Sequence, residues 1–420
     1  MTIKRLKTAT YLFIMIIICF LAAPSFFTSS FLSDMNIKNE TAKSIYPSVF
    51  ELTDEDKLWI EDQLNNLTLR EKAAQMVTVL VPAYTSMNSK EYEKVLGYVE
   101  DLKVGGIIFS RNNLQTQVLL TNKFQDVSDI PLLISADFET GPGMRISDAI
   151  EFPSNMALAA AGDIDLVYQM GKIISEETAA LGVHQNFAPV ADINNNHLNP
   201  VINVRSFSDD KEIVSRYVSA FILGSKQSRV MTTVKHFPGH GRTNIDSHLD
   251  LPTLNIDHLN LANNELVPFI QAIRSGVQSV MIGHIEVPAL ETSPGVPATL
   301  SYRIVTDLLQ NELGFDGLII TDAMDMSAVT NFYEDDEAAV MAVNAGNDII
   351  LMPRNPEKVV NAIVEAVEDG KISFDRIDLS VRKILSAKKW LKLDENRFVD
   401  YVNAEKVIKE NKHYLLAKEL

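Results

Sequence analysis

Cysteine is nearly absent from this chain of 420 residues, which contains a single one, Cys19. One thiol cannot form a disulfide within one chain, so the fold must be stabilised by its hydrophobic core. Positive charge is also scarce, with 38 Lys and Arg against 55 Asp and Glu and a formal net charge of −17. Nucleic acids and anionic membrane surfaces are polyanions, so this composition argues against either as the main partner.

The N-terminal segment differs in character from the rest of the chain. Basic residues among the first seven precede an unbroken apolar run from about residue 11 to residue 23. This pattern predicts a secretory signal or an N-terminal membrane anchor over residues 1–27. Residues 28–50 are polar and aperiodic, which is typical of a linker. We therefore expect an extracytoplasmic protein, either secreted or held at the membrane by this segment.

Short apolar runs rich in Val and Ile recur after residue 51, and each is followed by a longer amphipathic stretch. The runs lie at 76–81, 105–110, 131–137, 184–192, 231–237, 277–284, 317–322 and 348–353. Continuous apolar runs suit strands that are buried on both faces, as in a parallel sheet. Eight of them predict an α/β protein with a (β/α)8 barrel as a single catalytic domain over residues 51–395, followed by a helical tail over 396–420. An open doubly wound sheet is the structural alternative.

Helix boundaries are marked locally at both ends of this region. Thr68 with Glu71 three residues later forms a capping-box pattern, which predicts that a helix begins there. Gly370 separates two helical stretches near the end of the barrel.

Several of the predicted strands end in polar residues that do not belong in a core. Because the carboxyl ends of barrel strands converge on the active site, we expect these side chains to lie close together. They are Asp137, Asp192, Lys235, His236, His284 and Asp322.

Residues 235–252, "KHFPGHGRTNIDSHLDLP", contain three of the eight histidines. Gly and Pro after His236 predict a flexible loop that follows the fifth strand. Residues two apart in an extended stretch project to the same side, so Asp246 can orient the ring of His248. The pattern predicts an acid/base dyad on a mobile loop.

The same residues admit other chemistry. A metal site could use His236, His240, His248 and Asp246, although no close pair sets up its geometry. Lys235 could form a Schiff base from its position at the end of a strand. His240 taken alone is most simply an ordinary loop histidine.

Several long motifs, in this order, resemble glycoside hydrolase family 3, in particular its β-N-acetylhexosaminidase branch. They include "DFETGPGMRI" (137–146), "NFAPVADIN" (186–194), "KHFPGHG" (235–241) with "DSH" (246–248), and "GFDGLIITDAMDM" (314–326). The resemblance runs from about residue 67 to residue 392. It implies a barrel enzyme that cleaves a glycosidic bond with retention of configuration.

The resemblance also implies roles for individual residues. Asp322 aligns with the nucleophile of the family, His248 with the acid/base residue and Asp246 with the partner of that histidine. The residues that align with groups holding the sugar are Asp137, Arg145, Arg205, Lys235 and His236, and we expect Met326 to line the sugar pocket. The implied enzyme needs no metal or organic cofactor. We expect a monomer that acts on N-acetylglucosamine-containing glycans, with peptidoglycan fragments as the first candidate.

Two departures from the family pattern lie close to these residues. Relatives carry acidic residues directly after "GHG" and two positions later, where this chain has Arg242 and Asn244. The stretch "DFETGPGMR" is also longer than the common D-x-E-G-G-R form by Thr-Gly-Pro.

The sequence leaves three alternative functions open. They are a metal-dependent barrel hydrolase, a glycan-binding protein without catalysis, and a related β-glycosidase or phosphorylase that uses phosphate in place of water. The intact set of Asp322, His248 and Asp246 argues against a protein that only binds.

Overall fold

The computed structural model describes residues 45–419 of the chain. The predicted signal or anchor over residues 1–27, and most of the predicted linker over 28–50, lie outside the described residues. Within the described part of the chain, no helix is long and apolar enough to cross a membrane.

Eight short strands alternate with helices along the described chain. The strands are β1 (Val77–Val81), β2 (Gly106–Phe109), β3 (Leu133–Ala136), β4 (Gln185–Asn186), β5 (Met231–Phe237), β6 (Ser279–Ile282), β7 (Leu318–Thr321) and β8 (Ile350–Leu351). The longer α-helices are Asp54–Asn66, Leu69–Gln75, Lys90–Glu100, Leu114–Val127, Asn155–Ala161, Ile164–Ala180, Lys211–Ser225, Val267–Arg274, Asp335–Ala345, Pro356–Glu368, Phe374–Trp390, Tyr401–Ile408 and Asn411–Glu419. Two π-helical segments, Leu261–Glu265 and Arg303–Glu312, precede β6 and β7.

The strands form one parallel sheet that closes on itself. Each strand from β1 to β6 pairs with the next in parallel, and β1 pairs with β8 on its other side. Between β7 and β8 the Thr321 amide donates to the Ile349 carbonyl oxygen at 3.0 Å, and Ile320 forms a parallel bridge with Ile349. The prediction of a (β/α)8 barrel is confirmed, and the open doubly wound sheet is excluded by this closure.

The fourth strand is much shorter than the apolar run that predicted it. The run at 184–192 contains only the two ladder residues Gln185 and Asn186. Pro189 has no amide hydrogen to donate, so the ladder is interrupted there. Contact with β5 continues through the Pro189 carbonyl oxygen, which accepts from the Lys235 amide at 3.2 Å, and the Ala191 amide donates to the Lys235 carbonyl oxygen at 2.7 Å.

The helices begin where their capping residues indicate. The Thr68 hydroxyl accepts from the Glu71 amide, and the Glu71 carboxylate accepts from the Thr68 amide, so the predicted capping box is present. Gly370 follows the helix Pro356–Glu368 with φ of +73°, which a glycine adopts without strain. The start of the helix Leu69–Gln75 and the end of the helix Pro356–Glu368 therefore lie where local chemistry places them.

Candidate active site

The carboxyl ends of five strands bring polar side chains to one mouth of the barrel. Asp137 follows β3, Asp192 lies beyond β4, and Lys235 is in β5. His284 follows β6 and Asp322 directly follows β7. The polar residues predicted at the strand ends therefore lie at the same end of the barrel, which is where barrels of this kind place their functional residues.

Lys235 and Arg145 both bind the carboxylate of Asp137. Lys235 Nζ lies 2.8 Å from Asp137 Oδ1, and Arg145 Nη2 lies 3.1 Å from Asp137 Oδ2. Burial opposes the charge of Lys235, but the carboxylates of Asp137 and Glu139 outweigh it and hold its pKa above the usual value. A Schiff base requires a free amine, so this environment disfavours the aldolase-like alternative for Lys235.

Glu139 completes this network and was missed as a site residue by the sequence analysis. Its Oε1 lies 2.7 Å from Lys235 Nζ, and its two oxygens accept from Arg205 Nη2 and Nε at 2.8 and 3.0 Å. Burial raises the pKa of Glu139, but Lys235 and Arg205 outweigh this effect and hold that pKa well below its usual range. The carboxylate therefore stays ionised and holds both cations in place. Its contact with Arg205 is bidentate, which fixes the orientation of the guanidinium group.

His236 is oriented by a buried carboxylate from the neighbouring strand. His236 Nδ1 lies 2.7 Å from Asp192 Oδ2, while Arg205 Nη2 lies 3.4 Å from His236 Nε2. Burial opposes the charge of Asp192, but His236 and His240 outweigh it and lower its pKa. An ionised carboxylate only accepts hydrogen bonds, so His236 Nδ1 carries a proton and Nε2 faces the site.

Asp322 stands in an environment that favours its ionised form. Its Oδ1 accepts from the Ala323 amide at 2.8 Å. Burial opposes the charge, but the nearby His236 and His284 imidazoles, the Ala323 amide and the Lys235 ammonium lower the pKa of Asp322 below its usual value. An oxygen of such a carboxylate is available as a nucleophile near neutral pH.

Met326 lies four residues beyond Asp322. It is buried, yet it is not part of the contiguous hydrophobic core of the barrel. A buried thioether beside the mouth suits the wall of a pocket, as the sequence predicts, and its contact with a sugar stays a prediction.

Asp246 and His248 contact each other on the loop after β5. His248 Nδ1 and the His248 amide each lie 2.8 Å from Asp246 Oδ1. The prediction assumed an extended stretch. In the structure residues 247–249 form a turn, and the Leu249 amide donates to the Asp246 carbonyl oxygen across it. The His248 side chain is 61% exposed, so its Nε2 remains accessible to a ligand.

The same loop reaches the segment that carries Asp322. The Ser247 carbonyl oxygen accepts from the Ala328 amide at 3.2 Å. The Leu249 carbonyl oxygen of the loop also accepts from Asn331 Nδ2, on the segment after Asp322, at 3.4 Å. The dyad and the carboxylate of Asp322 therefore belong to one mouth of the barrel.

The first half of this loop is fixed rather than loose. His240 is buried, with Nδ1 at 2.6 Å from Thr243 Oγ1 and Nε2 at 3.0 Å from Ser247 Oγ. Burial lowers the pKa of His240 to about 4. The sequence predicted flexibility from the Gly and Pro of residues 237–241, but these glycines allow close packing on neighbouring loops. Of residues 237–243 only Arg242 is exposed, and most of the loop after Thr243 is exposed.

The ring nitrogens of the three histidines of this stretch contact separate groups, although the rings of His236 and His240 lie 6.0 Å apart. Both ring nitrogens of His240 contact hydroxyl groups, and the Nδ1 atoms of His236 and His248 face separate carboxylates. Among residues 45–419, no group of three or more His, Cys, Asp or Glu side chains is placed to hold a metal ion.

Two proteins that are similar to this chain are named for related glycosidase activities. The chain is 36% identical to "Beta-hexosaminidase A" of Pseudoalteromonas piscicida over 318 residues, which cover 68% of this chain and 53% of that protein. A β-N-acetylglucosaminidase of glycoside hydrolase family 3 from Paenibacillus sp. str. FPU-7 superposes with a TM-score of 0.77 at 37% identity, covering 84% of this chain and 68% of the other. The chain thus spans about half the length of that curated relative.

A second similar structure carries a different activity in its name. A β-glucoside phosphorylase with a bound ligand superposes with a TM-score of 0.83 at 27% identity, covering 88% of this chain and 67% of the other. The family model described as "Glycosyl hydrolase family 3 N terminal domain" matches residues 68–387. The chain therefore belongs to glycoside hydrolase family 3, as its motifs predict.

Proposed function

We propose that this chain is a retaining β-N-acetylhexosaminidase that removes terminal β-N-acetylglucosamine from glycans. The observation that carries the proposal is the position of the Asp246–His248 dyad at the same barrel mouth as the ionised carboxylate of Asp322. A nucleophile and a proton donor on the two sides of one glycosidic bond are what a retaining glycosidase requires.

In the first step a carboxylate oxygen of Asp322 attacks the anomeric carbon. The bond from that carbon to the leaving oxygen breaks with its electron pair, while Nε2 of protonated His248 donates a proton to that oxygen. In the second step His248 takes a proton from water, and the water oxygen displaces Asp322. Two inversions at the same carbon give net retention.

Asp246 supports both steps through its contact with His248 Nδ1. Burial raises the pKa of Asp246, but the backbone amide and the ring of His248 outweigh burial and lower it. Asp246 thus stays ionised and holds the ring of His248 through its Nδ1. An imidazole as acid/base residue also leaves the site less negative than a second carboxylate would.

The sugar would be held by the network at the base of the mouth. Asp137 accepts hydrogen bonds, while Lys235, Arg145 and Arg205 donate them, which suits the hydroxyl groups and the N-acetyl carbonyl of the sugar. His236 Nε2 faces the same space, and Met326 would line the apolar side. These six residues are the proposed sugar-binding set.

The substrate class and location follow from the relatives and the N-terminal pattern. Names of two relatives, a β-hexosaminidase and a β-N-acetylglucosaminidase, support N-acetylglucosamine as the sugar. We infer an extracytoplasmic site of action from the signal or anchor pattern of residues 1–27, with peptidoglycan fragments as the first candidate substrate.

A panel of aryl glycosides tests this proposal. We expect turnover of the β-N-acetylglucosaminide and much slower turnover of the glucoside, xyloside and galactosaminide. The Asp322→Asn variant, which keeps the size of the side chain, is the matched control and should be inactive. Absence of turnover by the purified wild-type chain would reject the proposal.

Phosphorolysis is the second candidate, because one similar structure is that of a β-glucoside phosphorylase. Phosphate would replace water in the second step and release a sugar 1-phosphate. Product analysis with and without inorganic phosphate decides between them. Sugar 1-phosphate as the main product would favour this candidate.

A further inference from the structure

The root of the acid/base loop, defined here as residues 239–243, is bound to two neighbouring loops. The Asp192 carboxylate accepts from the His240 amide at 2.6 Å. Asn199 Nδ2 donates to the carbonyl oxygens of His240 and Thr243 at 2.8 and 3.0 Å, and Asn196 Nδ2 donates to that of Thr243 at 2.9 Å. The root therefore has a defined position from which the exposed tip with His248 extends.

A buried acid on another segment contacts the same root. Glu265 ends the π-helical segment Leu261–Glu265 and is almost completely buried. Its Oε1 accepts from Asn195 Nδ2 at 3.0 Å and from Arg242 Nε at 3.1 Å, while its Oε2 is buried without a hydrogen-bond partner. Among the described residues Arg242 is the cation that pairs with Glu265.

Glu265 also packs directly against the backbone of the root. A Cβ atom at Gly239 would lie 3.1 Å from Glu265 Cβ and 3.3 Å from its Oε2, and Gly239 has φ of +130°. A side chain at position 239 would therefore be both strained and crowded. The carboxylate of Glu265 thus contacts the root from two directions, at Gly239 and at Arg242.

Arg242 supplies the positive charge that faces Glu265. An acidic residue there would face Glu265 with a second negative charge, whereas Arg242 neutralises it. Burial raises the pKa of Glu265, and Asn195 and Arg242 oppose that effect. The Glu265 side chain is fully buried whereas that of Arg242 is 41% exposed, so loss of Arg242 leaves a buried carboxylate without its counter-charge.

We propose that the Arg242–Glu265 ion pair fixes the root of the acid/base loop and thereby places His248 over the leaving oxygen. Arg242 and Glu265 are positioning residues for the general acid, and this inference rests on the proposed function of His248. Without the pair the root shifts relative to Asp322, and His248 Nε2 moves away from its proton-transfer position.

Leaving-group dependence distinguishes this role from a general structural one. A misplaced general acid slows cleavage of a poor leaving group and has little effect on an activated one, which needs little protonation. For Arg242→Gln we expect kcat/KM to fall about tenfold or more on an alkyl β-N-acetylglucosaminide but only about two- to threefold on an activated nitrophenyl one. Arg242→Lys, which keeps the charge, should recover part of the loss.

Glu265→Gln and the double variant complete the test. If the two side chains act as one unit, the double variant should lose about as much as either single variant. Arg382→Gln is the matched control, because Arg382 pairs with Glu61 at 2.6 and 3.0 Å outside the loop. We expect it to show no leaving-group dependence.

The possible outcomes test the positioning role of the ion pair and the proposed function separately. Equal losses on the two substrates, or no loss on the alkyl glycoside, would overturn the positioning role while leaving the proposed function intact. Absence of wild-type turnover on both substrates would instead reject the proposed function. If Arg242→Gln unfolds, the comparison of Arg242→Lys with wild type on the two substrates decides the question.

Discussion

At the scale of single residues, the site is built from charges that neutralise each other in pairs. Lys235 binds two carboxylates, and Glu139 binds two cations. Each buried charge therefore has a partner, which offsets the cost of removing it from water. The arrangement keeps the carboxylates ionised and holds the hydrogen-bonding groups in place before a sugar arrives.

The dyad gives a first prediction at this scale. His248→Gln keeps a polar side chain but removes the titrating group, so we expect kcat/KM on a poor leaving group to fall by about 10²- to 10⁴-fold. On an activated aryl glycoside the loss should be much smaller. Parallel losses on both substrates, measured from initial rates, would contradict the assignment of His248 as general acid.

Glu139 gives a second prediction. Glu139→Gln removes the charge that fixes Lys235 and Arg205, so the proposed sugar-binding groups lose their alignment. We expect kcat/KM to fall by about 10- to 100-fold, since small misplacements in an active site have effects of that size. Glu291→Gln, which removes a carboxylate bound to Ser301 away from this network, is the control. Unchanged kcat/KM for Glu139→Gln would show that this carboxylate is dispensable.

The sequence indicated most of the residues at the mouth, but not their contacts. Asp137, Lys235 and Asp322 could be selected because they follow apolar runs at predicted strand ends. Glu139 lies two residues beyond such an end, and only the spacing of the D-x-E motif could have indicated it. The pairing of Arg205 with Glu139 joins residues 66 apart in sequence, which no local pattern encodes.

At the scale of elements, one residue both caps its own helix and forms an ion pair with another part of the chain. Glu71 caps its own helix through Thr68, and its Oε1 also lies 2.9 Å from Lys103 Nζ. The Lys103 ammonium, and next the Thr68 amide, lower the pKa of Glu71 from its usual value of 4.5 to about 2. A carboxyl group whose folded pKa is lowered stabilises the fold above its unfolded pKa, and this contribution is lost as the pH falls through the folded pKa.

This linkage gives a third prediction. Glu71→Gln keeps a residue compatible with the capping box but removes the charge. Near neutral pH we expect the free energy of unfolding to fall by about 1–2 kcal/mol, a value reduced for partial solvent exposure. The difference from wild type should shrink as the pH falls from 4.5 towards 2. Denaturant titrations across that range, with Glu55→Gln as the surface control, measure it, and a difference independent of pH would contradict it.

Elements were predictable where one local signal dominated. Eight apolar runs gave eight strands, and the capping box placed its helix at Thr68. Two local interpretations differ from the structure, for physical reasons. Pro189 interrupts the ladder of β4, and the glycines near His240 permit close packing instead of flexibility.

At the scale of the whole molecule, one buried cation opposes the stability of the barrel. Lys388, on the helix Phe374–Trp390, is completely buried, and its Nζ donates to Gln75 Oε1 at 2.6 Å. Burial lowers the pKa of Lys388 to about 7 from 10.5. The unfolded chain therefore binds more protons between these two values, so the stability due to this group rises with pH over that range.

Removal of this amine gives a fourth prediction. Lys388→Met fills similar volume without a charge, and we expect it to raise the free energy of unfolding at about pH 6 by about 1–3 kcal/mol, after the loss of the Gln75 contact. The gain should decrease by about 2 kcal/mol between about pH 6 and pH 9, because the wild-type amine is by then neutral in the folded chain. Destabilisation at every pH would show that the hydrogen bond to Gln75 outweighs the burial of charge.

In the proposed mechanism the barrel brings Asp322 and the loop of His248 to the same anomeric carbon. A 5-fluoro β-N-acetylglucosaminyl fluoride tests this, because the ring fluorine slows hydrolysis of the glycosyl ester and allows the intermediate to accumulate. Mass spectrometry of the digested protein should find the sugar esterified to Asp322, with no adduct in Asp322→Asn. An ester on any other side chain, or sustained turnover of this substrate without a covalent adduct, would contradict the mechanism.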